Sequence, residues 1–332
     1  MRSSVAVLTA LATCLAACSG EALPSATPST VAPAASAVFT FGKQAVVTRA
    51  LTGHEDAFFV NPGAVIEHDG RLHLFANVFS TWPGHVDMPH LVSDDGASWT
   101  LAPGTPPSSD DIPLADPGAD VSTGFVTDDG TWVLIFETVS AANPWQLGRM
   151  TAPAPDGPWT VDPKPILTAG PAGSFDAGGL AWPTVVKTDA GYALYYTGWD
   201  RAPRGTGVIG LATSSDGASW RKADAPVLVA DQKWELGSLD RPRVAATPRG
   251  IAMVYASGNE LTRHGIAWSS DGVSWTKAPS GPALTADAYP VDGRSWDGAL
   301  TYHEGALHFW LEIGSGAGPD GTNVYQATAP LP

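Results

Sequence analysis

Short stretches of alternating apolar and polar residues run along most of this chain, and glycine-containing turns separate them. Leu72-His73-Leu74-Phe75 is one such stretch, and a second runs from Tyr192 to Tyr196. The preceding turns end in glycine at Gly70, Gly130, Gly191, Gly250 and Gly305. Alternation with a period of two is typical of a strand with one buried face, and a short turn ending in glycine is typical of a β-hairpin. The pattern predicts an all-β fold of antiparallel strands.

A repeated motif predicts how these strands are grouped. The sequence from Ser93 to Trp99 contains Asp-Gly followed by tryptophan, and similar segments end at Trp220 and Trp275, with a shorter copy ending at Trp159. The spacing of about sixty residues leaves room for five units. Each unit contains four predicted strands, with the Asp-Gly turn between the third and the fourth. The sequence therefore predicts a five-bladed β-propeller whose Asp-Gly-x-x-Trp turns are structural.

The last unit, from Trp296 to Thr328, has three predicted strands and no fourth. The segment from Ala45 to Ala50 has strand character but belongs to no unit of its own. An unpaired strand edge is a liability that closed propellers avoid. We therefore expect this N-terminal segment to complete the last blade and close the ring.

The N-terminus predicts export and attachment to a membrane. A charged start, an apolar stretch from Val5 to Ala17 and the box Leu15-Ala16-Ala17-Cys18 resemble a bacterial lipoprotein signal, in which the cysteine is lipidated. We predict a signal peptide over 1–17, Cys18 as the lipidation site, a disordered Ser/Pro/Ala tether over 18–37, and the propeller over 38–332. The expected location is the bacterial cell surface or periplasm. An ordinary cleaved signal with an incidental cysteine is the alternative.

Composition narrows the classes of partner. The chain contains 36 Gly, 29 Pro and 13 Trp, which fits short strands joined by turns better than long helices. The formal net charge of −15 argues against nucleic acid, whose phosphates it would repel. The two cysteines both lie in the predicted signal region, so no disulfide is expected in the propeller. A monomer is expected, because a propeller buries its own core.

Loops that enter the blades, and loops that follow the second strand of each blade, should meet on one face around the central channel. Every blade contributes at least one carboxylate to these loops, and three of the second set contain tryptophan. Flat aromatic faces and hydrogen-bond acceptors suit a sugar ring, whose C–H faces are apolar and whose hydroxyl groups are donors. A pair of carboxyl groups, one protonated and one ionised, is the minimum equipment for cleaving a glycosidic bond.

Three segments resemble motifs of a known enzyme superfamily: Phe58 to Val65, Ser174 to Val186 followed by Tyr195-Tyr196-Thr197-Gly198, and Leu239 to Val244. They are similar to inner-strand motifs of the five-bladed glycosidases, the superfamily of arabinanases, β-xylosidases and β-fructosidases (glycoside hydrolase families 32, 43 and 68). The resemblance covers residues 45 to 330. It implies acidic residues at the entrances of the first three blades, acting as base or nucleophile, orienting carboxylate and general acid.

The sequence departs from that pattern in two blades. Asn61 stands where the resemblance implies an aspartate, so Asp56 or Glu55 is the nearest carboxylate there. Ala181 stands where a glutamate is implied, so Asp176 is the nearest substitute, while Asp120 is close to its implied position. Asp176 and Glu235 each lie seven residues before a proline, which fits either a relocated catalytic pair or a repeated structural loop.

Our first hypothesis is a glycoside hydrolase acting on surface or environmental poly- or oligosaccharides with pentose or furanose units. Asp56 is the predicted base or nucleophile, Asp120 the orienting carboxylate and Asp176 the general acid. The predicted substrate-binding residues are Asn61, Trp82, Trp145, Trp182, Trp199, Glu235, Asp240, Arg241 and Asp297. Stereochemistry would follow from the carboxyl separation, about 5 Å for retention and about 6.5–9.5 Å for inversion.

Two other functions compete with hydrolysis. The same propeller face could hold sugar without cutting it, with the tryptophans stacking on the sugar and the carboxylates accepting hydrogen bonds. A platform for protein partners would require an apolar top face, which the polar loops argue against. No cofactor and no metal ligand are predicted. A structural Ca²⁺ in the central channel is an open alternative, although no spacing resembles a known Ca²⁺-binding loop.

Overall fold

The structure is a computed structural model that describes residues 37–331, apart from 105, 116, 141–144, 259–261, 280 and 315–320. Five separate antiparallel sheets follow one another along the chain, and the first strands of successive sheets pack together in a closed ring. This arrangement is a five-bladed β-propeller, as the repeat predicts. The predicted signal peptide, Cys18 and all but the last residue of the predicted tether lie outside the described residues.

The first two blades each contain four strands. Blade 1 is formed by β2 (Phe59–His68), β3 (Arg71–Phe79), β4 (His90–Ser93) and β5 (Thr100–Leu101). Blade 2 is formed by β6 (Pro117–Val126), β7 (Trp132–Ser140), β8 (Gln146–Ala152) and β9 (Thr160–Val161). The innermost strands are long and the outermost strands are only two residues long, so each blade narrows toward the rim.

Blades 3 and 4 follow the same plan. Blade 3 is formed by β10 (Gly179–Thr188), β11 (Gly191–Trp199), β12 (Gly207–Ser214) and β13 (Arg221–Lys222). Blade 4 is formed by β14 (Leu239–Thr247), β15 (Gly250–Ser257), β16 (Arg263–Ser269) and β17 (Thr276–Lys277), and a short β18 (Leu284–Thr285) also pairs with β16. Short 3-10 helices at Ser109–Asp111, Lys233–Glu235 and Ala286–Ala288 lie in the loops between blades.

Blade 5 closes the ring with both ends of the domain. It contains β19 (Arg294–His303), β20 (Ala306–Gly314) and β21 (Thr322–Pro330), and its outer strand is β1 (Thr40–Phe41), which pairs with β21. The predicted N-terminal closing strand is therefore present.

The closing strand lies a few residues earlier than the predicted segment over 45–50. Val46 and Val47 do donate backbone hydrogen bonds to the carbonyl of Val324. The chain then turns into the short helix α1 (Arg49–Thr52), because the Thr48 side chain caps its first turn and Gly53, with φ of 78°, ends it.

The Asp-Gly turns hold the blades together, as their structural interpretation predicts. In the first turn, the carboxylate of Asp95 accepts backbone hydrogen bonds from Ala97 and Ser98 at 2.9 and 2.7 Å. The indole N–H groups of Trp99 and of Trp310, from blade 5, both donate to the carbonyl of Gly96 at 2.8 Å. A side chain at position 96 would come within 2.8 Å of Trp310, so only glycine fits this junction between blades.

Candidate active site

A break in strand pairing occurs at the same place in every blade. The register between the first and second strands shifts at Asn61/Ala64, Val121/Thr123, Ala181/Thr184, Asp240/Arg243 and Ser295/Gly298. A β-bulge bends its strand and turns side chains in new directions. Trp182 and Arg241 occupy equivalent bulge positions, with φ of 52° and 51°. Both of these side chains line the central cavity.

All five blades contribute to a cavity of about 270 Å³. Four of the lining residues bear carboxyl groups, two are arginines, six are aromatic and one is an asparagine. In chain order they are Phe59, Asn61, Phe79, Trp82, Asp120, Glu137, Trp145, Trp182, Arg204, Arg241, Trp296, Asp297 and Glu312. The cavity therefore combines apolar aromatic surface with several acids, which is the combination expected at a sugar-binding site.

Blade 2 supplies two of the acids from adjacent strands. Asp120 on β6 and Glu137 on β7 are direct cross-strand partners, and their exposed fractions are 6% and 1%. The backbone N–H of Trp182 donates to Glu137. Burial raises the pKa of Glu137 to about 7, and burial together with the nearby Glu137 raises the pKa of Asp120 well above its usual value. Oδ1 of Asp120 has no hydrogen-bond partner among the described residues.

Blade 5 supplies the other two acids. Asp297 forms a buried ion pair with Arg243 and accepts the backbone N–H of Gly298 at 2.8 Å. Glu312 accepts a hydrogen bond from the hydroxyl of Thr322 at 2.8 Å, and burial raises its pKa to about 8. The cavity thus contains a carboxylate bound to a cation beside carboxyl groups whose pKa values burial raises. General acid–base chemistry requires such a division of protonation states.

Two arginines lie against the tryptophan wall on the side of blades 3 and 4. The guanidinium carbon of Arg241 lies 3.7 Å from the ring centroid of Trp182. The guanidinium carbon of Arg204 lies 5.1, 5.0 and 5.5 Å from the centroids of Trp145, Trp182 and Trp199. Cation–π contacts of this kind hold a positive charge in place without neutralising it.

Seven of the predicted site residues line this cavity: Asn61, Trp82, Asp120, Trp145, Trp182, Arg241 and Asp297. Asn61 is held by a polar network between the first two blades. Its side-chain oxygen accepts from the amide of Asn77 at 2.7 Å and from the backbone of Gly63 at 3.1 Å. Asn77 in turn bonds both the N–H and the carbonyl of Val121. Asn61 therefore links two blades as well as facing the cavity.

Two further predicted residues support the wall from behind. Trp199 is only 1% exposed and packs edge-on against Trp182 with ring centroids 5.3 Å apart. Asp240 is 2% exposed, and burial raises its pKa. Neither side chain lines the cavity, so a bound sugar would not touch Trp199 directly. The tryptophan wall is thus two layers deep.

Asp56 lies outside the central cavity. It is an exposed residue of the loop between α1 and β2, beside a separate surface depression that also contains His54, His85 and Asp87. The inner strand begins only at Phe59, so the loop has not yet reached the axis at Asp56. The structure therefore does not bring this predicted base together with Asp120.

Asp176 and Glu235 also lie outside the cavity, and each occupies an equivalent buried site. Asp176 is 2% exposed, contacts the ammonium of Lys222 at 2.6 Å and accepts from the hydroxyl of Tyr196 at 3.1 Å. Glu235 is fully buried and makes the same two kinds of contact, with Lys277 at 2.7 Å and with the hydroxyl of Tyr255 at 2.8 Å. The geometry matches the repeated structural loop, the alternative to a relocated catalytic pair.

Known protein sequences match part of this chain. No profile of a known protein family matches the sequence. Two uncharacterised proteins, from two strains of Mycobacterium tuberculosis, are 33% identical to this chain over 128 residues, which is 35% of the chain. The match spans 42% of those relatives' own length.

Solved structures match over nearly the whole domain. A family 43 glycoside hydrolase from Xanthomonas citri, solved with xylose, has a TM-score of 0.63 at 17% identity over 90% of this chain and 91% of that one. A family 117 glycoside hydrolase from Zobellia galactanivorans has a TM-score of 0.62 at 16% identity over 89% and 90%. This chain has the five-bladed propeller fold of glycoside hydrolases. The structural similarity to these enzymes covers all five blades.

Several cavity residues of this glycosidase-like propeller were absent from the sequence prediction: Phe59, Phe79, Glu137, Arg204, Trp296 and Glu312. The prediction considered loops, whereas Glu137 and Glu312 lie near the ends of second strands. A sequence signal for both does exist. Each is the single acid in a mostly apolar strand, Trp132 to Val139 and Leu307 to Ile313, and a lone buried carboxyl group in a strand indicates a function.

No cluster of three or more histidine, cysteine, aspartate or glutamate side chains within the described ranges could hold a metal ion. The carboxyl groups of the cavity instead contact Arg243, backbone N–H groups and the Thr322 hydroxyl.

Among the helices that the structure describes, none is long and apolar enough to cross a membrane.

Proposed function

We propose that this protein is a glycoside hydrolase that cuts poly- or oligosaccharide with a pair of carboxyl groups in the central cavity. The observation that supports this most directly is the gathering of Asp120, Glu137, Asp297 and Glu312 in one aromatic-lined cavity on the propeller axis. Several of these acids are shifted toward the protonated form while Asp297 is paired with an arginine. A glycosidase requires that difference between its two acids.

Glu137 is our candidate for the general acid. Its pKa of about 7 would match an operating pH near neutrality, and general acid catalysis is most effective when the pKa lies near the operating pH. The N–H of Trp182 binds Oε2, so Oε1 can hold the proton that passes to the oxygen of the leaving sugar. Glu312 is a second candidate for this role, because it too is protonated at neutral pH.

Asp297 is our candidate for the ionised carboxylate. The buried guanidinium of Arg243 and the N–H of Gly298 stabilise its negative charge. Both contacts involve Oδ1, which leaves Oδ2 for a water molecule or for the anomeric carbon. Asp120 then has the orienting role that the sequence predicts, as a carboxyl group beside Glu137 with one free oxygen.

The sugar would stack on Trp82 and Trp145, whose rings line the cavity and remain partly exposed. A volume of about 270 Å³ is at the lower end of the roughly 300–1,000 Å³ typical of ligand pockets, so a few sugar rings at most would be enclosed. We retain pentose or furanose units as the proposed substrate. One structure of similar fold, the family 43 enzyme, was solved with xylose.

The proposed setting is the outside of a bacterial cell. The N-terminal signal and Cys18 would anchor the protein to the membrane by lipid, and the tether would hold the propeller away from the surface. There a glycosidase would meet surface or environmental glycans. The propeller would act as a monomer, because its five blades complete one another.

The test is hydrolysis of arabinan, xylan and fructan polymers and a panel of aryl-glycosides by the purified protein and by Glu137→Gln and Asp297→Asn. We expect sugar release that both substitutions abolish, while Asp56→Asn and Asp176→Asn keep turnover in the folded fraction. Release of sugar that survives both Glu137→Gln and Asp297→Asn would exclude the proposed pair.

Sugar binding without cleavage is the second candidate function. It is favoured by Asn61 and Ala181, which stand where the superfamily resemblance implies two of its three acids. Calorimetric titration with the same oligosaccharides separates the two functions. Tight binding with no turnover by the unsubstituted protein, lost on replacement of Trp145, would identify a binding protein.

A further inference from the structure

Charge is distributed unevenly around the cavity. The four carboxyl groups come from blades 2 and 5, which are the two neighbours of blade 1 in the ring. The lining arginines, Arg204 and Arg241, come from blades 3 and 4 on the opposite side. A ligand that fills the cavity would therefore meet acids at one end and cations at the other.

The two arginines have no directly bound carboxylate among the described residues, and the buried Asp240 interacts with both of them only through longer-range electrostatics. Neither Arg204 nor Arg241 forms an ion pair within 4.0 Å of any acid in the part of the chain that the structure describes. Nε of Arg241 is shielded from solvent and has no hydrogen-bond acceptor among the described residues. By contrast, the buried Arg243 binds Asp297, the Trp182 carbonyl and the Pro242 carbonyl. A partly buried guanidinium without an acceptor is costly unless a ligand supplies one.

The tryptophan wall holds these cations toward the cavity. The guanidinium carbon of Arg241 lies 3.7 Å from the ring centroid of Trp182, and that of Arg204 lies 5.0–5.5 Å from three indole centroids. The indoles are in turn buttressed by the buried Trp199. Trp182 is itself only 5% exposed and packs against Trp145 and Trp199 as well as the arginines. The wall therefore orients two guanidinium groups, and Nε of Arg241 has no acceptor among the described residues.

We infer that Arg204 and Arg241 form an oxyanion subsite, and that the sugar bound in this cavity bears an acidic substituent, a carboxylate or a sulfate. The planar guanidinium offers paired N–H donors that match the two oxygens of such a group. This inference deepens the proposed function, and it rests on the cavity being the sugar site.

The carboxyl groups across the cavity do not prevent anion binding. Asp297 is neutralised by Arg243, and burial raises the pKa values of Asp120, Glu137 and Glu312, which favours their neutral forms. Arg204 and Arg241 place two positive charges on the side of blades 3 and 4, although the whole chain has a formal charge of −15. An acidic sugar would enter with its charge toward blades 3 and 4 and a glycosidic oxygen toward blades 2 and 5.

The experiment compares matched ligands that differ only in charge, using the full protein at pH 6 and low salt. A glucuronic-acid-substituted xylo-oligosaccharide is compared with its methyl ester, and a sulfated xylo-oligosaccharide with the unsulfated one, with calorimetry and tryptophan fluorescence as readouts that need no turnover. We expect one acidic member to bind about tenfold or more tightly than its neutral counterpart, because a charge-assisted hydrogen bond is lost without it. The advantage should shrink with added salt.

Variants identify the residues responsible. Arg204→Gln, which changes an exposed side chain at the mouth of the cavity, should abolish most of the preference, and Arg204→Lys should restore part of it. Arg201→Gln is the matched control, because Arg201 lies in the same loop but binds Asp200 and does not line the cavity. Arg241→Gln should have the same effect as Arg204→Gln if its thermal unfolding shows a folded protein.

Each result has one meaning for the subsite. Equal binding of charged and neutral members, or a preference unchanged in Arg204→Gln, would overturn the inference while leaving the glycosidase proposal intact. Binding or cleavage of neutral sugars that depends on added inorganic phosphate would overturn the acidic substituent on the sugar, since the subsite would then hold phosphate as a separate ligand. Selective binding of an acidic sugar without cleavage would support the subsite and count against hydrolysis.

Discussion

The ammonium group of Lys222 lies 2.6 Å from the carboxylate of Asp176, in the loop region that leads into blade 3. Lys222 also donates to the carbonyl of Thr168 at 3.0 Å, and the hydroxyl of Ser174 donates to Asp176 at 2.8 Å. These contacts join the outermost strand of blade 3 to the segment entering the same blade. They explain why an acid that resembles a catalytic residue in sequence is buried away from the cavity.

Asp176→Asn should therefore affect stability and not chemistry. Loss of one partner from a buried ion pair typically costs about 3–5 kcal/mol, and because the Lys222 side chain is a quarter exposed we expect a decrease of about 3 kcal/mol in the free energy of unfolding. Urea unfolding measures it. Asp200→Asn, which breaks an exposed pair with Arg201, is the control and should change stability by less than about 1 kcal/mol. A variant of unchanged stability that loses turnover would return Asp176 to the catalytic machinery.

Glu137→Gln should remove proton donation without altering the shape of the cavity. General acid catalysis typically contributes about 10²–10⁴ in rate, so kcat should fall by roughly that factor while binding changes little. The unsubstituted protein should lose kcat/KM as pH rises above about 7, where Glu137 loses its proton. Glu67→Gln, a partly exposed acid on the opposite face, is the comparison and should retain the normal profile. An unchanged pH profile in Glu137→Gln would shift the role to Glu312.

Stability should fall as the pH rises from about 4.5 to about 8. Burial raises the pKa of Glu312 from 4.5 to about 8, so the folded protein binds this proton more tightly than the unfolded chain does. The stabilisation is complete below pH 4.5 and is lost as the pH rises through the folded value. Glu312→Gln, which is neutral at every pH, should flatten the dependence of melting temperature on pH between 5 and 9. An identical slope in the variant would show that Glu312 does not titrate in this range.

Trp145→Ala should weaken sugar binding more than it weakens the fold. The indole lines the cavity, remains partly exposed and packs 6.1–6.2 Å from the rings of Trp82, Trp182 and Trp199. We expect roughly a tenfold loss of affinity, about 1.4 kcal/mol, measured by calorimetry. Trp220→Ala is the control, because Trp220 packs in the core beside blade 3 and should lower stability without changing affinity. Equal loss of affinity in both variants would indicate general loosening.

The fold was predictable because its signals are local and repeated. Alternating strands, glycine turns and the tryptophan spacing each depend on a few adjacent residues, and each recurs in several blades. The position of the closing strand was predicted less well, since Thr40 and Phe41 form only a two-residue strand. The apolar residues Val46 and Val47 do form backbone hydrogen bonds with Val324, but no strand continues beyond them because Thr48 caps a helix.

The candidate site was harder to predict, because it depends on how five distant segments meet. The match between Asp176 and Glu235 correctly showed that the two are equivalent, but no pattern of spacing reveals which way a side chain points. Lysine two residues after Trp220 and Trp275 was the missing clue, since it supplies the buried partner of both acids. Glu137 and Glu312 were not predicted because only loop residues were considered as candidates.

At the bulges of blades 3, 4 and 5, residues that line the cavity are not residues that pair with the neighbouring strand. Where the ladder is interrupted, residues such as Trp182, Arg241 and Trp296 need not pair with the neighbouring strand, so their identity is free to vary. Asn61 and Ala181, in place of two expected acids, are therefore compatible with an intact propeller in which the cavity acids come from blades 2 and 5.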